Sequence, residues 1–147
     1  MTDRTVPDTD VALRLLLVED DVGYAGFIGA TLMDAASVRC QCDHVSSIGA
    51  AVQQLSLATY DLVLLDLGLP DAVDLDGLTT VVSLVPDVPV VILTSTEDEA
   101  LALRAVKAGA QDYLSKGTTT GEVLARSISY AIGCKHSELQ TKRVVAP

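Results

Sequence analysis

The chain has 147 residues, 49% of them hydrophobic, which suits one ordinary domain with a real core and is too apolar for a disordered segment. No apolar run reaches the roughly 18 residues of a membrane span, and the polar, acid-bearing N-terminus is unlike a secretory leader, so no membrane insertion is expected. Twenty acids against ten bases leave a net charge of −10, which argues against direct nucleic-acid binding, because that requires a basic face to meet phosphates.

In chain order, Leu13–Val18 is a short apolar strand stopped by Glu19-Asp20-Asp21. A helix follows, with Asp21 read first as its cap and Ala25, Ile28, Leu32 and Ala36 as its apolar stripe. Glycines at 23, 26 and 29 weaken it by about 1 kcal/mol each relative to alanine. Their spacing is not G-x-G-x-x-G, so no dinucleotide loop is read there. Val38–Val45 is a weaker strand that places Cys40 and Cys42 on one face, where buried thiols are favoured over a metal site. Three cysteines form no closed set of disulfides, and a reducing cytoplasm is the expected setting. Ser46 or Ser47 caps a helix through Leu57.

The next strand, Leu62–Leu65, ends at Asp66. Asp66 does not open a helix at once, because Pro70 keeps the residue before it out of the helical region and Leu67-Gly68-Leu69-Pro70 leaves as a loop. Leu78–Val85 forms a third helix, and Val88–Leu93 a strand ending in Thr94-Ser95. Glu97–Ala108 forms a fourth helix, with acids in its first turn, Arg104 and Lys107 late, and Gly109 as its stop. Asp112–Ser115 is a weaker strand followed by Lys116. Thr119 or Thr120 starts a last helix carrying Val123, Leu124, Ile128, Ala131 and Ile132, which runs to about Lys142 with a solvated tail. His136 in that tail reads as a surface residue.

Strand and helix alternate five times, so the fold class is α/β, and near-continuous apolar strands point to a parallel sheet covered on both faces. Ligands of such sheets bind beyond the carboxyl ends of the strands. There this chain places Glu19, Asp20, Asp21, Asp66, Thr94 and Lys116. Two carboxylates 4 Å apart repel by about 4 kcal/mol at an effective dielectric of about 20, so the cluster needs a cation, a raised pKa or the lysine. Oxygen-only donors favour Mg2+ or Mn2+ over zinc. No P-loop glycines or lysine follow the first strand.

Four motifs together, Leu-Leu-Val-Glu-Asp-Asp at 16–21, Tyr-Asp-Leu-Val-Leu-Leu-Asp-Leu-Gly-Leu-Pro at 60–70, Val-Ile-Leu-Thr-Ser at 91–95 and Gly-Ala-Gln-Asp-Tyr-Leu-Ser-Lys at 109–116, resemble the receiver domain of two-component response regulators. The resemblance implies a flavodoxin-like, doubly wound (βα)5 sheet of order 2-1-3-4-5. It implies a tail over 1–12, a receiver over 13–134, and over 135–147 a helical extension or the start of a linker to an output module. It implies that Asp66 is the phosphoacceptor, taking the group from a sensor histidine kinase or phosphotransfer protein, and catalysing only its own phosphorylation and dephosphorylation. Asp20 would bind the metal directly, Glu19 through water, with Asp66 and the Gly68 carbonyl as further ligands. Lys116 would pair with Asp66, Thr94 would donate to the phosphoryl group, and Tyr113 would turn inward. The fourth helix, fifth strand and fifth helix would form the switched face, through which a homodimer is also expected.

Several features depart from that pattern. Gly117 rather than proline follows Lys116, so no cis peptide is expected. The loop from Pro70 to Gly77 is long and carries Asp71, Asp74 and Asp76 beside the cleft. Gly68 and Thr96 are small, which predicts open water access to an acyl phosphate. An alternative is an Mg-dependent aspartyl phosphatase of haloacid-dehalogenase type, which would need a second aspartate where Gly68 stands. A flavodoxin-like flavin binder is a third reading, poorly served by the acidic loop. The chain is expected to be either a single-domain regulator or the receiver of a longer protein.

Overall fold

The computed structural model describes residues 12–35, 39–95 and 98–145, with side chains to residue 141. Strands β1 (Leu13–Val18), β2 (Cys40–Val45), β3 (Leu62–Asp66), β4 (Val90–Thr94) and β5 (Asp112–Ser115) alternate with helices α1 (Val22–Asp34), α2 (Ile48–Leu57), α3 (Asp76–Leu84), α4 (Glu99–Lys107) and α5 (Gly121–Val145). All strand pairs are parallel, in the order β2-β1-β3-β4-β5. The expected α/β architecture and strand order are therefore met. Every residue of β3 and β4 is buried, whereas the edge strands β2 and β5 are mostly half-exposed.

Successive strand residues point to opposite faces, and each face has its own core. Leu16, Val18, Val63, Leu65, Val90 and Ile92 pack with Ile48, Ala51, Leu55, Leu78, Val81 and Ala105, so α2, α3 and α4 cover one side. Leu15, Leu17, Leu62, Leu64, Val91 and Leu93 pack with Ala25, Ile28, Leu32, Leu124 and Ile128, so α1 and α5 cover the other. A one-residue slip of any central strand would exchange these two sets, which fixes the register and the level at which each strand ends.

The helix starts follow their capping chemistry. Asp21 accepts from the Tyr24 N–H and Ser47 from the Ala50 N–H, and Thr120 accepts from the Val123 N–H at the start of α5. The α3 boundaries shift from the expected 78–85 to 76–84, because Asp76 supplies a first-turn acid that the apolar pattern alone did not register. The α4 helix is described from Glu99, an acid in its first turn, and ends at Lys107, one residue before the expected Ala108. Expectations for Ala36, Val38, Thr96 and Glu97 fall outside the described residues. The α5 helix runs three residues beyond the expected end near Lys142. Among the described residues no helix is long and apolar enough to cross a membrane, and no peptide bond is cis.

Gly109 ends α4 at φ 125°, a conformation that L side chains rarely adopt. Gly109→Ala should therefore destabilise the domain by about 1–3 kcal/mol, read as a lower urea midpoint at unchanged slope. Cys40 and Cys42 pack against the α1 side of the core, and burial pushes both thiols up to about 11. The native protein should alkylate at these positions about 100-fold more slowly than an ordinary thiol near pH 7, with the rate rising about tenfold per pH unit. Peptide mapping after a timed iodoacetamide pulse reads this directly.

Candidate functional site

The register sets the site. Val18 is level with Leu65, so Glu19 comes out of β1 level with Asp66 at the end of β3. Asp66 is level with Leu93, and Thr94 with Ser115, so Thr94 and Lys116 follow one and two steps further on. Because β1 and β3 are neighbours whose chains leave in opposite directions, a crevice opens between them at this edge. A cavity of about 320 Å³ lies there, lined by Glu19, Asp20, Asp21, Asp66, Gly68, Thr94, Ser95, Asp98 and Lys116.

One carboxylate oxygen from each of Glu19, Asp20 and Asp66 lies within 4.8 Å of the others. Glu19 is fully buried, Asp66 is 6% exposed and Asp20 faces solvent. Lys116 Nζ stands 2.7 Å from Glu19 Oε1 and 3.3 Å from Asp66 Oδ1, so one ammonium balances two buried acids. Burial drives the Glu19 pKa up, and the Asp66 charge adds to this. Lys116 and the Asp21 N–H pull the other way without cancelling it. Burial works against the Lys116 ammonium, yet Glu19 and Asp66 outweigh it and raise its pKa.

The expected pairing of Lys116 with Asp66 is present, but the nearer partner is Glu19, which a reading of strand ends alone does not rank. The Thr94 hydroxyl is buried in the cavity wall and donates to the Ser95 carbonyl. The Gly68 N–H donates to Asp66 Oδ1 at 3.1 Å, orienting the carboxylate. A Cβ on Gly68 would stand 3.6 and 3.8 Å from the two Asp66 oxygens, so the glycine leaves that approach clear. Tyr113 is half-buried in a second cavity of about 280 Å³, shared with Thr94, Ser95, Glu99, Ser115 and Thr118. Thr94 thus borders both cavities.

The long β3–α3 loop does not crowd the cleft with charge. Asp71 instead accepts from the Ile48 and Gly49 N–H groups, and these bonds hold its pKa down. Neither Asp74 nor Asp76 lines the cavity.

Three neighbours of the site were not anticipated. His44 Nε2 is 2.7 Å from the Glu19 carbonyl and ties the end of β1 to β2. Asp98 accepts from the Ser95 hydroxyl at 3.2 Å. The Tyr24 ring lies under Lys116, with Nζ 4.9 Å from the ring centroid. An aromatic one helical turn after the acidic run was the available signal for Tyr24.

The donor set is all oxygen, carries an excess of negative charge and is open on one side, which fits a hard dication rather than a soft metal. Among the described residues, Glu19, Asp20 and Asp66 are the side chains grouped so as to be able to hold it. Asp20→Asn should raise the thermal midpoint in the absence of divalent ions, by relieving repulsion, and abolish the further rise that millimolar Mn2+ gives the unaltered protein. Differential scanning calorimetry with and without Mn2+ checks both signs.

The family described as the response regulator receiver domain matches residues 15–127. The chain is 33% identical over 114 residues to the transcriptional regulatory protein BasR of Escherichia coli, covering 78% of this chain and 50% of that one. It is 36% identical over 116 residues to QseB of Haemophilus influenzae, covering 78% and 50%. The chain thus spans about half the length of the curated relatives it matches. Among solved structures, a response regulator receiver domain from Clostridium thermocellum superposes with a TM-score of 0.73 at 26% identity, covering 86% of this chain and 98% of that one. The signal receiver domain of a LuxO repressor protein from Vibrio parahaemolyticus gives 0.76 at 26% identity, covering 90% and 98%.

Proposed function

The chain belongs to the response regulator receiver domain family, and on that footing we propose that Asp66 is the residue that accepts the phosphoryl group from a histidine kinase or phosphotransfer protein. The observation that carries this is the meeting of the Glu19, Asp20 and Asp66 carboxylates within 4.8 Å of one another, with Lys116 3.3 Å from Asp66.

Asp66 is a carboxylate paired with Lys116 and oriented by the Gly68 N–H, with its free approach on the glycine side. One of its oxygens attacks the phosphorus of a phosphohistidine as the phosphorus–nitrogen bond breaks, and the phosphoryl group moves to the protein. Phosphoryl transfer of this kind depends on positioning and on neutralising charge rather than on a strong base. Asp20, Asp66 and the Gly68 carbonyl would hold Mg2+ or Mn2+, with Glu19 acting through water, and the ion would supply the positive charge that lets phosphoryl oxygens enter an acidic pocket. Lys116 exchanges part of its hold on Asp66 for a phosphoryl oxygen.

The Thr94 hydroxyl, now spent on the Ser95 carbonyl, rotates to the phosphoryl group. Its movement clears the wall of the cavity that Tyr113 shares, and Tyr113 turns in. Partners, including a second copy of the chain, then read the remodelled face of α4, β5 and α5. The net charge of −10 suits protein contacts rather than nucleic acid. The helical stretch beyond residue 134 is an extension of α5 or the start of a linker to an output module, and the setting is the cytoplasm. The domain does no chemistry beyond its own phosphorylation and dephosphorylation.

Incubation with acetyl phosphate and Mg2+ should place one acid-stable, base-labile phosphoryl group on the protein. Asp66→Asn, or EDTA, should abolish it. Equal labelling of Asp66→Asn would remove Asp66 from the role, and labelling unaffected by EDTA would remove the metal.

A further inference from the structure

Deepening that reading of the site, we propose that Tyr24 is a positioning residue for the phosphoryl-transfer step, its ring face serving as the seat that holds the Lys116 ammonium beside Asp66. The ammonium contacts two carboxylates, Glu19 Oε1 at 2.7 Å and Asp66 Oδ1 at 3.3 Å. The Tyr24 ring, with its centroid 4.9 Å from Nζ, is the third contact. Lysine carries a flexible four-carbon stem, so an ammonium must be confined by its neighbours. A ring face attracts it without a counter-charge.

The need for such a seat arises when the site is charged. A dication drawn to Glu19, Asp20 and Asp66 competes with Lys116 for the same oxygens and repels it. Glu19 is then no longer a sufficient anchor, and an ammonium released to solvent cannot meet a phosphoryl oxygen. The ring keeps its attraction for the ammonium whatever the carboxylates bind. It is itself fixed: Tyr24 is on the first turn of α1, its N–H is held by Asp21, and the Phe27 ring packs against it at a centroid distance of 5.9 Å.

The hydroxyl distinguishes this role from an ordinary hydrogen-bonding one. Tyr24 Oη is buried and has no hydrogen-bond partner among the described residues. A buried hydroxyl without a partner costs stability rather than adding to it. The useful part of the side chain is therefore the ring, and Phe should replace Tyr while Leu should not.

The test measures phosphorylation by acetyl phosphate against Mg2+ concentration in the full chain. Tyr24→Phe should keep the maximal rate within about twofold, whereas Tyr24→Leu should lower it about tenfold while its half-saturating Mg2+ moves little. Tyr24→Leu as fast as the unaltered protein, or Tyr24→Phe as slow as Tyr24→Leu, overturns the inference. So does a loss explained wholly by weaker Mg2+ binding. If Tyr24→Leu does not fold, Tyr24→Trp carries the test, because the chain has no other tryptophan. Its emission should change on adding Mg2+ and beryllofluoride, and the change should vanish when Lys116→Met is added. An identical change in the double variant overturns the inference. Asp66→Asn run alongside separates the two ideas: if it still accepts the group, the reading of the site fails, and if only the Tyr24 series fails, that reading stands.

Discussion

A single ammonium shared by two buried carboxylates constrains the rest of the molecule. Glu19 is wholly excluded from solvent, and Asp66 nearly so, at the end of an apolar sheet. Lys116 reaches both. Removing one partner from such a group leaves uncompensated buried charge, which typically costs about 3–5 kcal/mol. The arrangement nevertheless remains short of positive charge, with Asp20, Asp21 and Asp98 lining the same cavity. That deficit favours a cation at the site and, under the proposed function, a phosphoryl group held through it. The same shortage keeps the resting pocket closed to bare anions.

The fold serves this constraint by fixing levels. Two cores, one on each face, lock the strands in a register where Glu19 and Asp66 come out side by side and Lys116 arrives two steps beyond the partner of Leu93. The surroundings then hold the loops. His44 secures the Glu19 carbonyl, the Gly68 N–H orients Asp66, and the Lys116 N–H is bonded to the Thr94 carbonyl. Asp71 pins the loop that follows Asp66 to the start of α2. Thr94 and Tyr113, by contrast, border space, and a cavity is what a side chain needs in order to move.

Much of this was legible in the sequence because it depends on period and on chain order. Uninterrupted apolar runs at 62–65 and 88–93 marked strands of a parallel sheet covered on both faces, and 38–45 read as a weaker strand, which the fold places at an edge. The caps at Asp21, Ser47 and Thr120 are local chemistry, readable within four residues. Contacts between elements were not readable. Nothing in the spacing of residues 19, 66 and 116 says that Lys116 lies nearer Glu19 than Asp66, since side-chain reach across a sheet edge decides it. The acids of the 70–77 loop were placed beside the cleft because they are close in sequence. Asp71 instead turns to α2, where two unpaired N–H groups at the helix start compete successfully for it. Tyr24 and His44 escaped notice for the same reason: each acts on a residue brought to it by folding.

The central claim is that this meeting of acids and an amine makes Asp66 the covalent acceptor. The most direct measurement is borohydride reduction of the acyl phosphate after phosphorylation by a kinase partner, followed by peptide mass mapping. The account predicts homoserine at position 66, at no other aspartate, and only when a divalent ion is present. Homoserine at Asp20, Asp21 or any other position, or a phosphoryl group that borohydride does not displace, would contradict it.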